Sequence, residues 1–260
     1  MTNLAVPGPA APPAARPGFV AGLTSLFAGF GFVLGTPSVW PLAAVPVVIA
    51  LGITAVLGAV AIKVLPPLFA GWLVARSPWL QGLVSIIATG LALVLSLLLG
   101  FALAQPLSGS ALGGIVRRIE AREGAPPRPE TGFFTDVGRS LESMVVSYAF
   151  GLPILAVLLA VNFVFPPATL VTVPLKMATI ALLLAWDLCD YPLSLHGMPI
   201  GARVAWMKRN AAAMLGFGAG LSLLSLLPCA LVLVLPAGVA GAARLALAIE
   251  RAEAGSAGPR

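Results

Sequence analysis

Two carboxylates, Asp187 and Asp190, stand three residues apart at the end of an apolar run, followed by Tyr191, Pro192, His196, Arg203, Lys208 and Arg209. On a helix that spacing puts both acids on one face, at the C-terminal end where the helix dipole disfavours negative charge. They need cationic partners. Arg203, Lys208 and Arg209, on a short interfacial helix opened by Pro199, are the nearest in sequence. Two roles fit the cluster: an ion-handling mouth, or a salt-bridged hinge that fixes the flanking segments. An intramembrane acid pair for proteolysis would want its carboxylates on facing helices. These share one helix, so no catalytic residue is assigned and the chain is read as no enzyme. His196 is the sole histidine and has no cysteine cluster near it, which leaves a zinc site unsupported. It reads as a loop residue, and no cofactor or metal is implied.

Lys176 is the only charge between residues 143 and 186. An intramembrane charge is by default a functional candidate. It is placed either to attract an anion or to snorkel its stem toward water.

The elements that carry these residues are set by composition. The 260-residue chain is 59% hydrophobic and 9% charged, with mean hydropathy +1.03, against about 25% charged in soluble domains. Residues 17–116 contain only Lys63 and Arg76, and residues 210–243 contain no charge. Stretches of that kind need lipid as solvent, and their unbroken apolarity lacks the alternation of barrel strands. The fold class is therefore an all-α integral membrane protein. The basic residues form no stripe interleaved with aromatics, so the net charge of +6 points to anionic lipid and excludes nucleic acid as the partner. Cys189 and Cys229 read as free, packed thiols.

Along the chain, residues 1–17 read as a disordered tail, residues 18–250 as a single membrane domain and residues 251–260 as a second tail. Phe19 to Gly35 reads as a helix in or dipping into the interface. Pro41 to Ile62 and Trp79 to Gln105 are the two full spans, separated by a Pro-rich connection from Lys63 to Pro78. Residues 117–142 form the aqueous segment, cytoplasmic by its five arginines. Two apolar hairpins follow, Met144 to Cys189 and Ala211 to Leu247, broken at Pro166-Pro167 and at Pro228. Their short arms make re-entry plausible, and a spanning reading stays open for the first, whose arms lengthen if helix runs from Met144. Either way the basic segments 117–139, 203–209 and 244–260 share the cytoplasmic side with both termini. The five tryptophans sit near segment ends, suited to the headgroup level. Gly31/Gly35 and Gly216/Gly220 have the small-xxx-small spacing of close helix approach.

With these positions in hand, the chain resembles the CysZ-like branch of the etoposide-induced membrane-protein family from about Gly18 to Leu245. The resemblance is carried by Cys189-Asp190-Tyr191-Pro192 with His196, Pro199 and Arg203, and by the hairpin with Pro228 and Pro236 that ends Val239-Ala240-Gly241-Ala242. Gln105-Pro106-Leu107 with Gly109, and Pro37 with Pro46, add to it. It implies two long transmembrane helices plus two membrane-dipping hairpins, assembly as a homo-oligomer, a bacterial inner-membrane location and, for CysZ members, sulfate uptake. Members carry Gly, an aliphatic residue and arginine after the proline of the turn into the first span, a loop suited to an oxyanion. The matching residues here are Ser38, Val39 and Trp40, followed by Pro41. Without that guanidinium the loop offers helix-terminal amides and the Ser38 hydroxyl. Transport or permeation of a small anion is the leading expectation; a non-transporting membrane scaffold is the alternative.

Overall fold

The structure is a computed structural model that describes residues 16–72, 78–126, 132–226 and 228–256. The expected tail at residues 1–15 lies outside them. The described chain is helical, with no strand. Its helices are α1 (Phe19–Gly35), α2 (Trp40–Trp72), α3 (Pro78–Leu107), α4 (Gly109–Arg122), α5 (Phe133–Val164), α6 (Thr169–Leu195), α7 (Ile200–Arg209), α8 (Ala211–Leu224) and α9 (Pro228–Ser256). Single 3₁₀ turns at Pro37–Val39 and Pro166–Ala168 join α1 to α2 and α5 to α6.

Five helices, four of them the arms α2, α3, α5 and α6 and the fifth α9, are long and apolar enough to cross a bilayer. The two expected spans are present, but their bounds are wider. Pro66 and Pro67 do not end α2, which runs on to Trp72; proline inside a membrane helix is tolerated because neighbouring groups satisfy the freed carbonyls. The first hairpin also has longer arms than the sequence suggests. At 32 and 27 residues, α5 and α6 measure about 48 and 40 Å. Its tip is apolar and exposed at Phe163, Val164, Phe165 and Leu170.

The arms α2, α3, α5 and α6 expose most of their apolar surface, as lipid-facing helices do, whereas α9 is mostly buried within the protein. The core forms where α1, α4, α6, α8 and α9 meet, around Leu26, Leu112, Phe217, Leu221 and Leu245. At 17 and 14 residues, α1 and α8 measure about 26 and 21 Å, shorter than a hydrocarbon core of about 30 Å. They lie against α9 and each other.

Glycine makes that approach possible. A Cβ on Gly22 would stand 1.9 Å from the Ala213 carbonyl oxygen, and one on Gly216 would stand 1.9 Å from that of Phe19. Gly29 meets Ala237 and Gly241 backbone in the same way, and Gly218 meets Ala181. Backbones this close gain dispersion contacts that lipid tails cannot match. Of the two pairs singled out from spacing, Gly216 and Gly220 lie in this interface, while a Cβ on Gly31 or Gly35 would meet nothing within 4 Å. Spacing alone does not say which face of a helix finds a neighbour.

Two helix ends are fixed by matching chemistry. At the end of α6, Met198 N–H donates to the Leu193 carbonyl and Gly197 N–H to that of Ser194, with Gly197 at φ 71°. At the end of α4, Ala125 N–H donates to Glu120 and Gly124 N–H to Ala121, with Gly124 at φ 73°. Both are Schellman caps, which need a residue at ease in the left-handed region. They set His196 and Glu123 as the last residues before each turn.

Gly216→Leu is expected to cost at least the roughly 1–3 kcal/mol of overpacking, lowering the thermal-unfolding midpoint of the detergent-purified protein. Gly31→Ala should not lower it. Equal losses from both would remove the close-contact account.

Candidate functional site

Ion pairs join the ends of α4, α6, α7 and α9 and the first half of α5. Asp190, late in α6, and Arg203, one turn into α7, are both buried, and the Arg203 Nη1 donates to both carboxylate oxygens at 2.6 and 2.7 Å. Arg203 Nη2 reaches Glu142 of α5 at 2.9 Å. Its Nε is buried without a partner. One guanidinium thus ties α5, α6 and α7 together, at a position where its charge is matched by two acids. Removing one member of such a group leaves a buried charge exposed to a poor solvent.

Asp187 does not join this pair. Its carboxylate takes a hydrogen bond from Ser147, its backbone carbonyl accepts from Gln105 Nε2 at 2.9 Å, and it lines a small cavity between α3, α5 and α6. The three-residue spacing that suggests one acidic unit is split by the bundle: Asp190 turns to α7 and Asp187 to α5. Lys208 and Arg209 are exposed in the last turn of α7, where their charge suits the helix dipole. Neither forms an ion pair with the two acids.

His196 lies in the turn after α6, as expected, but it is buried there: its side chain is 4% exposed, with Nε2 2.7 Å from Glu120 of α4 and Nδ1 3.1 Å from Glu250 of α9. The cap at Gly197 holds the ring between those helices. Tyr191 adds a further tie, its hydroxyl donating to the Gly109 carbonyl at the start of α4, and Pro192 is buried beside it. Trp186 and Trp206 are likewise core residues, at 5% and 2% exposure, and not headgroup anchors. Cys189 is a buried free thiol. Lys176 is half-buried on α6 and forms no ion pair among the described residues.

The turn into α2 has its amides occupied. Val39 N–H donates to the Thr36 carbonyl at 2.9 Å, and Trp40 N–H to Pro37. Val39 is buried. The Trp40 indole donates to the Val33 carbonyl at 3.0 Å, and its ring lines an apolar groove with Val33, Ala43 and Val47. Two of the donors that the sequence offers to an anion are therefore already bonded. Cations come from elsewhere: the Arg118 guanidinium of α4 donates to the exposed Ser38 carbonyl. Beside the turn, a cleft of about 370 Å³ is lined by Gly31, Gly35, Thr36, Arg122, Glu123 and Arg244, among others. Arg122 stacks on Phe32 at 5.7 Å. Glu123 bridges Arg244 and Arg251, each at 3.0 Å. That last contact comes from the helical part of the expected C-terminal tail, since α9 continues to Ser256.

Sequence reasoning placed Arg118 and Arg122 in an aqueous segment and Arg244 and Arg251 in a separate basic one, and missed that α4 folds back on the turn. It also missed the serines around Asp187, although Ser140, Ser143 and Ser147 recur at one-face spacing on α5.

A bundle of apolar helices with buried ion pairs and a cationic cleft defines a polytopic membrane protein. Residues 25–236 match the family described as Sulfate transporter CysZ/Etoposide-induced protein 2.4, and the chain belongs to that family. It is 31% identical over 175 residues to a protein named sulfate transporter CysZ from Pectobacterium atrosepticum, covering 64% of this chain and 63% of the relative. A sulfate transporter CysZ of Salmonella paratyphi A is 32% identical over 173 residues, covering 63% and 67%. One of Pseudomonas paraeruginosa is 28% identical over 140 residues, covering 54% and 56%. The chain thus spans about half to two thirds of the length of the relatives it matches.

Arg203→Met is expected to cost about 3–5 kcal/mol by stranding Asp190, with a large fall in the detergent unfolding midpoint. Asp190→Leu combined with Arg203→Met should recover much of that loss. A single variant as stable as the parent would show that the pair does not hold α7.

Proposed function

We propose that the protein moves a small oxyanion, sulfate by the names of its relatives, across the bacterial inner membrane, and that the anion is held in the cleft beside the Thr36–Trp40 turn. The observation that carries this reading is that Arg122 and Arg244 both line that cleft, with Arg118 one helical turn before Arg122 and bonded to the Ser38 carbonyl. Two guanidiniums from α4 and α9 supply the charge that the turn itself lacks. A tetrahedral dianion fits forked N–H donors, and such bonds are about twice as strong as neutral ones.

Glu123 is the counter-ion when no anion is bound. Its carboxylate neutralises Arg244 and Arg251 from a position about a quarter exposed, so an incoming anion can take its place without stripping a buried pair. The same reading puts the charged ends of α4, α7 and α9 on the cytoplasmic side. His196 with Glu120 and Glu250, and Glu123 with Arg244 and Arg251, join two of those ends directly, and the positive-inside rule assigns them to the cytoplasm. A homo-oligomer would cover the apolar tip of the α5–α6 hairpin.

Equilibrium binding of radiolabelled sulfate to the purified protein tests the assignment. Loss of one charged hydrogen-bond donor costs about 1.5–3 kcal/mol, so Arg122→Ala and Arg244→Ala should each weaken binding roughly 10- to 150-fold. Lys176→Ala should leave it unchanged. Unaltered affinity in both arginine variants would remove the cleft from the pathway, and no sulfate binding by the parent protein would favour the scaffold reading.

A further inference from the structure

We propose that Asp187 and the serine face of α5 form a binding site for a sodium ion, separate from the anion cleft. The cavity that Asp187 lines has a volume of about 100 Å³ and is bordered by Gln105, Ser140, Ser143, Ser147 and Tyr148. Each of these polar side chains presents an oxygen, and Phe101, Ala102, Pro106 and Met144 complete the wall. Oxygen-only sets of carboxylate, hydroxyl and amide suit hard cations. A single carboxylate matches a single positive charge, and among the described residues no group of three His, Cys, Asp or Glu is assembled that could hold a multivalent metal.

Charge and hydrogen bonding both point to an occupant. Asp187 forms no ion pair among the described residues: Arg203 is engaged by Asp190 and Glu142, while Lys208 lines a different, apolar groove. A part-buried carboxylate without a counter-charge is costly at the edge of a membrane. Ser143 is only 6% exposed and lines the same cavity. Its hydroxyl is directed to the Asp190 carboxylate. Gln105 spends its amide N–H₂ on the Asp187 backbone carbonyl, which leaves its Oε1 as an acceptor. Ser147, donating its proton to Asp187, keeps its lone pairs for an ion at the same place. Asp187, Ser147 and Gln105 thus border the cavity from three helices. A bound ion would tie α3, α5 and α6 where no other cation reaches.

The test uses the full-length protein in detergent without sulfate, so its outcome is independent of the anion cleft. Sodium chloride is compared with choline chloride at equal concentration, by thermal unfolding and by equilibrium binding of radioactive sodium. The expected result is a sodium-specific, saturable rise in the unfolding midpoint, with one sodium bound per chain. Asp187→Asn should abolish both signals, Ser147→Ala should weaken sodium binding several-fold while remaining folded, and Lys208→Ala should change neither. No sodium-specific stabilisation of the parent, or full retention in Asp187→Asn, would overturn the site. Stabilisation by acid alone, to which sodium adds nothing, would also overturn it by showing that the carboxylate takes a proton instead.

Discussion

The backbone contacts of Gly22 with Ala213 and of Gly216 with Phe19 hold α1 against α8, and those of Gly29 with Ala237 and Gly241 hold it against α9. In lipid there is little hydrophobic drive to bring apolar helices together, so close packing and polar ties have to do it. The consequence reaches the cleft. Because α1 is held along α9, its C-terminal end at Gly35 lies beside Arg244, and the Pro37–Val39 turn that follows is delivered to Arg118 of α4. The open glycines Gly31 and Gly35 then leave space on the far face of the same helix, and that space is part of the cleft. One helix uses its glycines in two ways: some to touch backbone, others to leave room.

A second layer of constraint comes from polar groups. Asp190 and Arg203 tie α6 to α7, Tyr191 ties α6 to the start of α4, and His196 stands between Glu120 and Glu250. These ties set how α4 lies over the core. The cap at Gly197 matters for the same reason, since it places His196 and starts the chain toward Pro199 and α7. Cationic side chains of α4 and α9 that would otherwise repel are spaced by the Glu123 carboxylate. Charge is scarce in this protein, and most of it is used to orient helices whose apolar surfaces carry little directional information.

Much of the architecture was legible in the sequence. The absence of charge over residues 17–116 marks the membrane class, and the spans that became α2 and α3 follow from run length. The cluster from Asp187 to Arg203 announces itself by its acids and arginines. Prolines misled: Pro66 and Pro67 look like breakers and lie inside α2, because helix continuity in lipid is enforced by the absence of water to take up free backbone groups. The ties that bury His196 in its turn were hidden because its two partners are 76 and 54 positions away, on α4 and α9. The same long-range folding hid the cleft, since local spacing assigns Arg122 to an aqueous segment and Arg244 to a separate basic one. Sequence resemblance directs attention to residues 38–40, whereas the geometry moves the available charge to α4 and α9.

The most direct test of the account is the position of a bound oxyanion. Selenate, a heavier analogue of sulfate, can be located by its anomalous scattering in crystals of the protein. The account predicts a selenium peak in the cleft between Arg122 and Arg244, within reach of Arg118, with the Glu123 carboxylate displaced from Arg244. A peak lodged on the backbone of Ser38–Trp40 with Glu123 still paired, or beside Lys176, would contradict it.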